Sequence, residues 1–266
     1  MKNNKNFKIL IIAGSDSCGG AGIQADIKTA TAHNTYSSTI ITALTAQNTK
    51  KVEKIINVKK DFLIKQLDTV IKDIEFDAIK VGMLSSNQII NVVIDYFKKD
   101  LKHIPLILDP VMVATSGDIL LEKKAISSLK NLSSYAYLIT PNIDEAEILG
   151  DAKIKDLNDM YIVAKKIKSL GCKNILIKGG HLKNSKNKIF NLLLDEKNNY
   201  HLFTNKKIKT SNIHGTGCSL SSAISCNIAK GMNILSAIKK ANRYIYNSIK
   251  NSIQIGSGSL VLQHWK

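Results

Sequence analysis

One short segment of the sequence has residue types suited to chemistry on an anion. Residues 211–224 read SNIHGTGCSLSSAI, and Gly215, Thr216, Gly217 and Cys218 lie at the start of a predicted helix. Glycines at a helix N-terminus let backbone N–H groups converge on an anion, and the helix dipole favours negative charge there. The same field predicts a lowered pKa for the Cys218 thiol, which would then be partly thiolate near neutral pH.

A basic group beside an anion-binding nest can take the proton of a hydroxyl while the nest holds a phosphoryl group in transfer. This chemistry is the favoured interpretation of Cys218. Two alternatives stay open from the residues alone. The thiolate could be the nucleophile of acyl transfer, with His214 near in sequence, or the thiol could be an inert core group.

Further candidates lie where predicted strands end, which is where parallel α/β sheets bind ligands. Asp109 could bind Mg²⁺ through water, or could be a turn former. Asn142 and Glu145 have the spacing of a helix cap and its partner, with a phosphate and metal role as the alternative. Lys178, ahead of Gly179-Gly180-His181, could bring positive charge to a polyphosphate.

The segment GSDSCGGAG, residues 14–22, follows the first predicted strand and holds four glycines. Glycines allow a backbone to approach a ligand closely. The segment lacks the Lys-Ser/Thr of a phosphate-binding P-loop, and its spacing does not fit the dinucleotide fingerprint. A flexible turn and a substrate loop are therefore both open interpretations.

Short apolar runs alternate along the chain with amphipathic segments. Strands are predicted at 7–13, 38–44, 77–82, 105–109, 136–140 and 174–179, because these runs are rich in β-branched residues and nearly continuous. Helices are predicted at 21–33, 61–73, 86–99, 122–131, 142–149, 156–170, 216–230 and 234–250. The segments KIFNLLLD and YHLFTN flank EKNN and predict a hairpin or a pair of edge strands.

This alternation predicts an α/β fold with a mostly parallel, doubly wound central sheet flanked by helices. No Pro/Gly/Ser-rich linker divides the sequence, so a single domain over residues 1–266 is expected.

The composition argues against several classes of protein. The net charge is +17, yet only one of the 38 basic residues is arginine, whose bidentate fork suits nucleic-acid phosphates. We therefore expect no nucleic-acid partner. No apolar run is long enough to span a membrane. The four cysteines form no CxxC pair and no secretory signal is recognisable, which predicts reduced thiols in a cytoplasmic protein.

Seven motifs, in this order and spacing, carry a resemblance to a known family: GSDSCGGAGIQADIKT, ITALTAQNT, VGML, LDPVMVATSGD, LITPNIDEAE, KGGH and HGTGC. The chain resembles the hydroxymethylpyrimidine/phosphomethylpyrimidine kinases of thiamine biosynthesis, a branch of the ribokinase-like superfamily. The resemblance runs from about residue 7 to about residue 250. It implies a three-layer α/β/α fold and ATP-dependent phosphorylation of 4-amino-5-hydroxymethyl-2-methylpyrimidine and then of its monophosphate.

The resemblance also implies roles for individual residues. Cys218 matches the general base, beside the nest of Gly215, Thr216 and Gly217. Gln47 matches the glutamine that recognises the pyrimidine, and the positions around the ring are matched by Gly14, Asp26, Met83 and Val111. The residues that match the Mg²⁺–phosphate network and the ATP-phosphate lysine are Asp109, Asn142, Glu145 and Lys178.

Two departures from the family pattern are visible. Cys18 stands where the family usually has serine, which is a near-isosteric change, and the tail GSGSLVLQHWK lacks the usual proline. The C-terminal contacts are therefore open. The resemblance implies a homodimer. A pyridoxal or pyridoxine kinase of the same superfamily is the nearest alternative, and a non-catalytic basic protein that binds nucleotides or nucleic acid is a distant one.

Overall fold

Nine strands of the part of the chain that the structure describes form one sheet. This computed structural model describes residues 6–114, 116–180, 182, 187–208, 210 and 212–265. The strands are β1 (Lys8–Asp16), β2 (Tyr36–Gln47), β3 (Val52–Asn57), β4 (Ala78–Val81), β5 (Leu106–Leu108), β6 (Leu138–Ile139), β7 (Asn174–Gly179), β8 (Lys188–Leu194) and β9 (Tyr200–Lys206). Their order across the sheet is β3-β2-β1-β4-β5-β6-β7-β8-β9.

The central strands, from β2 to β7 across the sheet, are parallel. The pairs β2–β3, β7–β8 and β8–β9 are antiparallel, and β3 and β9 form the two edges of the sheet. The six predicted strands and the predicted hairpin are confirmed. The edge strand β3 was not predicted. Its sequence, VEKIIN, is mostly exposed and carries no clear alternation of apolar and polar residues, so a periodicity argument does not detect it.

All eight predicted helices are confirmed within a few residues at each end. They are α1 (Gly22–Ala32), α2 (Lys60–Ile71), α3 (Asn87–Lys99), α4 (Ile126–Ser133), α5 (Ile143–Gly150), α6 (Leu157–Lys168), α7 (Thr216–Ala229) and α8 (Ile234–Lys250). A short 3₁₀ turn, Lys123–Ala125, precedes α4. Among the helices of the described residues, none is both long and apolar enough to cross a membrane.

The helices cover both faces of the sheet. Successive residues of a strand point to opposite faces, so β1 contributes to two cores. Leu10 and Ile12 pack with residues of α2 to α6 on one face. Ile9 and Ile11 pack with residues of α1, α7 and α8 on the other. The three-layer, doubly wound α/β arrangement is therefore confirmed, and it explains why β1 reads as a continuous apolar run.

The C-terminal tail is tied to the sheet through a small second sheet. Within the described residues, β11 (Leu260–Val261) pairs in parallel with β10 (Ile213–His214), the strand that leads into α7. The Gly258 N–H donates to Thr49 Oγ1 at 3.1 Å, and the Ser259 N–H donates to the Thr49 carbonyl at 2.8 Å. The tail thus contacts both the turn after β2 and the approach to α7.

Candidate active site

The two glycine-rich segments of the sequence meet at the carboxyl edge of the sheet. A Cβ built on Gly215 would lie 1.8 Å from the carbonyl oxygen of Gly20, so the loop after β1 and the start of α7 are in direct contact. Gly215 precedes α7 with a φ of 83°, a conformation that only glycine adopts without strain. The first N–H groups of a helix have no partner within the helix, and those of Thr216 to Cys218 lie at the end of α7 that contacts this loop. The N-terminus of α7 thus lies where the nest is predicted, and anion binding by the Gly215–Cys218 nest stays a prediction.

Cys218 lies in the first turn of α7, partly exposed. Burial raises the pKa of its thiol to about 11, the Lys80 ammonium opposes this, and the carboxyl groups of Asp26 and Asp109 add to it. The expectation of a lowered pKa is therefore wrong for this arrangement. The Lys80 ammonium and a hydrogen bond from the Gly22 backbone lower the pKa, but they do not compensate for lost hydration and two nearby carboxyl groups. The thiol keeps its proton at neutral pH.

An ion pair between the partly buried Lys178 and the buried Asp109 lies beside the nest. Lys178 Nζ donates to Asp109 Oδ1 at 2.8 Å, and the other Asp109 oxygen accepts from the Ser221 hydroxyl at 3.2 Å. Burial alone would raise the pKa of Asp109, but Lys178 and Lys80 outweigh it and hold that pKa below its usual value. A Cβ built on Gly217 would lie 3.2 Å from Lys178 Nζ, so the nest and the ion pair adjoin.

Asn142 and Glu145 form a complete capping box at the start of α5. Asn142 Oδ1 accepts from the Glu145 N–H at 2.9 Å, and Glu145 Oε2 accepts from the Asn142 N–H at 2.8 Å. The capping interpretation is therefore confirmed. Burial raises the pKa of Glu145 to about 7, with Lys178 opposing and Asp109 contributing to the increase. Asn142 also forms an isolated parallel β-bridge with Lys178. The capping box therefore lies next to the Lys178–Asp109 ion pair.

The residues expected around a substrate ring are distributed over several elements. A Cβ built on Gly14 would lie 2.8 Å from Met83 Sδ, which brings the end of β1 against the segment after β4. Val111 is partly exposed, and its N–H donates to the Asp109 carbonyl at 2.8 Å. Gln47 ends β2 and is also partly exposed, with its amide beside Thr45 and His214.

Asp26 lies beneath the nest and is fully buried. Its two oxygens are occupied by Lys80 Nζ at 2.7 Å and by the Ser222 hydroxyl at 2.7 Å. Sequence reasoning missed Lys80. The available signal was a single lysine in DAIKVG, at the centre of an otherwise apolar strand, where a charge requires a buried partner.

Asp16 was missed as well. Its carboxylate accepts from the N–H groups of Cys18, Gly20 and Ala21 and from His214 Nε2, so it organises the glycine-rich loop. An aspartate within a glycine- and serine-rich turn was the signal for such a role. His181 of the KGGH motif lies outside the described residues.

No group of three or more His, Cys, Asp or Glu side chains that could hold a metal ion occurs among the residues that the structure describes. Asp109 and Glu145 are a pair. Such a pair fits a cation that takes its remaining ligands from water and from phosphate oxygens, as Mg²⁺ usually does. Burial is the main cause of the raised pKa of Glu145 and the Asp109 carboxyl group adds to it, and a bound cation would oppose both effects.

Comparison with known proteins identifies the family. A sequence model described as phosphomethylpyrimidine kinase matches residues 16–263. The chain belongs to the phosphomethylpyrimidine kinase family. The resemblance drawn from the seven motifs is thereby confirmed, and this is a family of phosphotransferases.

Relatives of two lengths occur within the phosphomethylpyrimidine kinase family. A hydroxymethylpyrimidine/phosphomethylpyrimidine kinase of Haemophilus influenzae is 40% identical over 261 residues, covering 97% of this chain and 96% of that protein. The thiamine biosynthesis bifunctional protein ThiED of Geobacter sulfurreducens is 43% identical over 257 residues, covering 96% of this chain. The chain spans about half the length of such bifunctional relatives, 52% in this case.

The fold of this phosphomethylpyrimidine kinase family member is shared with kinases of another vitamin. A crystal structure of a Bacillus subtilis pyridoxal kinase in complex with ADP has a TM-score of 0.89 and 34% sequence identity, and the alignment covers 97% of both chains. The ribokinase-like α/β fold that the resemblance implied is therefore confirmed.

Proposed function

We propose that this protein transfers the γ-phosphoryl group of ATP to the hydroxymethyl group of 4-amino-5-hydroxymethyl-2-methylpyrimidine, and then phosphorylates the monophosphate to the diphosphate. The observation that carries the proposal is the contact between the Gly215–Cys218 nest and the Asp109–Lys178 ion pair. Family membership supports the same reaction.

In this proposal the nest and Lys178 bind the phosphoryl group in transfer. The N–H groups at the start of α7 supply fixed dipoles for its negative charge, and the Lys178 ammonium adds a full positive charge beside Gly217. Since these groups are already in place, they need little reorganisation during the reaction. Asn142 completes the ATP-phosphate site through its position beside Lys178.

Cys218 is the proposed general base. Its thiol is protonated at neutral pH, with a pKa raised to about 11 by burial. Phosphoryl transfer passes through a loose transition state, in which the attacking oxygen still holds its proton until late. Only the thiolate, the minor form at neutral pH, can take that proton, and taking it returns Cys218 to the neutral thiol beside Asp109.

ATP is the proposed phosphoryl donor and Mg²⁺ the proposed cofactor. Asp109 and Glu145 are the side chains that would hold the cation, directly or through water, next to the phosphates. When bound, Mg²⁺ neutralises phosphate charge and orients the transferred group. Without a cation, the raised pKa of Glu145 favours its protonated form, and cation binding would release that proton.

The proposed pyrimidine site lies between the ends of β1, β2 and β4. The amide of Gln47 can donate and accept at the same time, which suits an amino group beside a ring nitrogen. Gly14, Met83 and Val111 would contact the ring. Asp26, with both oxygens engaged below the nest, would act on the site through its charge and its partners.

Pyridoxal phosphorylation is a second candidate activity. It is favoured by the similarity of the whole chain to the Bacillus subtilis pyridoxal kinase, at a TM-score of 0.89. The two alcohols differ in the groups that they present to Gln47, so the comparison of kcat/KM for each substrate decides between them. We expect the aminopyrimidine to have the higher value.

One domain over residues 1–266 would perform both steps, supported by the continuous sheet that carries the site. The cytoplasm is the proposed compartment, since the four cysteines are free thiols. The absence of a nucleic-acid partner stays a prediction, tested by affinity for DNA at physiological salt.

A second copy of the chain is the proposed protein partner. Leu44 of β2 lies directly opposite Ile56 of β3, and both are about half exposed. Paired apolar side chains on an edge hairpin are suited to burial against another copy. Analytical ultracentrifugation of the native protein and of Leu44→Lys tests this, and we expect a dimer that the substitution weakens.

The decisive test of the activity is direct. The purified protein is incubated with ATP, Mg²⁺ and the hydroxymethylpyrimidine, and the mono- and diphosphates are identified by mass. We expect both products, formed in sequence. Omission of the pyrimidine is the control, since ATP turnover without it would indicate a different reaction.

A further inference from the structure

His214 uses one ring nitrogen to contact two side chains from distant parts of the chain. Its Nε2 atom lies 3.0 Å from Asp16 Oδ2 and 2.9 Å from Gln47 Nε2. A ring nitrogen carries either one hydrogen or one lone pair, whereas a carboxylate only accepts and an amide nitrogen only donates. His214 Nε2 would have to carry a hydrogen to donate to Asp16, and a lone pair to accept from the Gln47 amide nitrogen. It cannot do both, so the protonation of the partners shows which contact is a hydrogen bond.

The Asp16 carboxylate decides the question. It accepts three backbone N–H groups in addition to the histidine, and it is almost fully buried. Burial would raise its pKa, but the hydrogen bond from His214 and those from the loop amides outweigh burial and hold the pKa below its usual value. The three backbone N–H donors, which do not depend on the histidine, already suit an ionised carboxylate, so Asp16 is an acceptor and His214 Nε2 must carry a hydrogen.

That hydrogen fixes the direction of the Gln47 amide. An amide nitrogen at 2.9 Å from a protonated ring nitrogen would bring two N–H donors face to face. Turning the amide by 180° about its last bond removes the conflict, because its oxygen then accepts from His214 Nε2. Its nitrogen then donates to Thr45 Oγ1, whose own hydrogen can go to the Ser15 carbonyl at 3.0 Å.

We propose that Asp16 and His214 are positioning residues that hold the Gln47 amide with its oxygen on the His214 side, and so select the substrate ring. One acceptor position and one donor position of the amide then remain, in a fixed order. A 4-aminopyrimidine matches that order, with its amino group toward the oxygen and its ring nitrogen toward the N–H. A 4-oxopyrimidine presents the reverse order and is rejected. This inference rests on the proposed role of Gln47.

The residues packed around His214 prevent its ring from moving when the substrate binds. A Cβ built on Gly20 would lie 2.5 Å from His214 Cδ2, so the glycine-rich loop packs directly against the ring. On the other side, His214 belongs to β10, which pairs with the C-terminal β11. The imidazole is thus fixed on both sides before the substrate binds. A fixed imidazole keeps the Gln47 amide in one orientation, which allows it to discriminate between substrate rings by the order of their donor and acceptor groups.

A ratio of two substrates tests the proposal. His214→Leu removes the donor at similar volume, and His214→Gln places an amide N–H at the former Nε2. We measure kcat/KM for the 4-amino substrate and for its 4-oxo analogue. Wild type should prefer the amino compound; His214→Leu should narrow the preference by about tenfold, and His214→Gln should retain most of it. A general disturbance of the loop lowers both values and leaves their ratio unchanged.

A second pair of variants covers the case in which His214→Leu does not fold. Thr45→Val removes the acceptor for the amide nitrogen, and Thr45→Ser keeps it. The first should narrow the amino/oxo ratio and the second should not. An unchanged ratio in both His214→Leu and Thr45→Val overturns the proposal, as does an unchanged ratio in the one of them that folds.

The tautomer is measured without any turnover. Nitrogen-15 spectra of the wild-type protein with labelled histidine, assigned against His214→Gln, should show His214 with hydrogen on Nε2. An unprotonated Nε2 overturns the proposal. If the protein phosphorylates neither pyrimidine, the proposed function fails, whereas the spectrum still tests the Asp16–His214 pair, and calorimetric affinities for the two rings supply the ratio.

Discussion

The ammonium group of Lys80 lies 2.7 Å from a carboxylate oxygen of Asp26, and neither side chain is exposed to solvent. The second oxygen of Asp26 accepts from Ser222, one helical turn beyond Cys218. Burial opposes the charge on Lys80, but Asp26, Cys218 and Asp109 outweigh it and hold its pKa above the ordinary value. A buried ion pair therefore contacts the second turn of the helix that carries the nest.

Lys80→Met should destabilise the protein by about 3–5 kcal/mol, because it leaves a buried carboxyl group without its partner. Urea unfolding followed by circular dichroism measures the change. The double variant Lys80→Met with Asp26→Asn is the control, and it should recover at least half of the loss. Equal destabilisation of the single and double variants would show that the pair itself contributes little.

Cys218→Ala should lower kcat by orders of magnitude and leave the affinity for ATP nearly unchanged, since the proposed role of the Cys218 thiolate is to take the substrate proton and not to bind nucleotide. Steady-state kinetics and calorimetry with an ATP analogue measure the two quantities. Turnover near the wild-type value in this variant would refute the base assignment.

The raised thiol pKa also predicts a pH dependence. If the thiolate is the active form, its fraction rises about tenfold per pH unit until the pH approaches the pKa of about 11. The kcat should therefore increase between pH 7 and pH 10, by up to about tenfold per pH unit. Cys218→Asp, ionised throughout this range, should flatten the profile. An identical slope in both proteins would assign it to another group.

Gly217→Val should reduce kcat at least as much as Cys218→Ala. The first atom of the new side chain would lie 3.2 Å from Lys178 Nζ, and the two methyl groups beyond it would enter the space beside the nest. Gly217→Ala is the matched comparison and should give an intermediate loss. The melting temperature of each variant serves as the check on folding, and unimpaired turnover in the valine variant would contradict the proposed phosphoryl site.

Glu145 should make stability depend on pH. Burial raises its pKa from 4.5 to about 7, so between these values the folded protein binds a proton that the unfolded chain has lost. Stability contributed by this proton is present below pH 4.5 and falls as the pH rises to 7, by about 3 kcal/mol in total. Denaturant unfolding of wild type and Glu145→Gln at pH 4.5 and 8 measures this contribution: the free energy of unfolding at pH 4.5 minus that at pH 8 should be lower by about 3 kcal/mol in the variant.

Much of the fold could be predicted because its signals are local. The run KILIIA in β1 and the helical periodicity of α3 or α8 depend on neighbours along the chain. The capping box of Asn142 and Glu145 spans three residues and is equally local. Strand β3 was missed because an exposed edge strand is defined by its pairing with β2, which a single segment does not encode.

The sequence by itself determined the positions of the strands and helices, the nest before α7, and the family. Only the tertiary structure decided which polar side chains pair by hydrogen bonds. These pairs are Asp16 with His214, 198 positions apart, Lys178 with Asp109, 69 apart, and Lys80 with Asp26, 54 apart. The Cys218 pKa shows the physical reason. The helix terminus expected to lower this pKa is visible in four consecutive residues, Gly215–Cys218. The burial and the carboxyl groups that raise the pKa come from other elements of the fold.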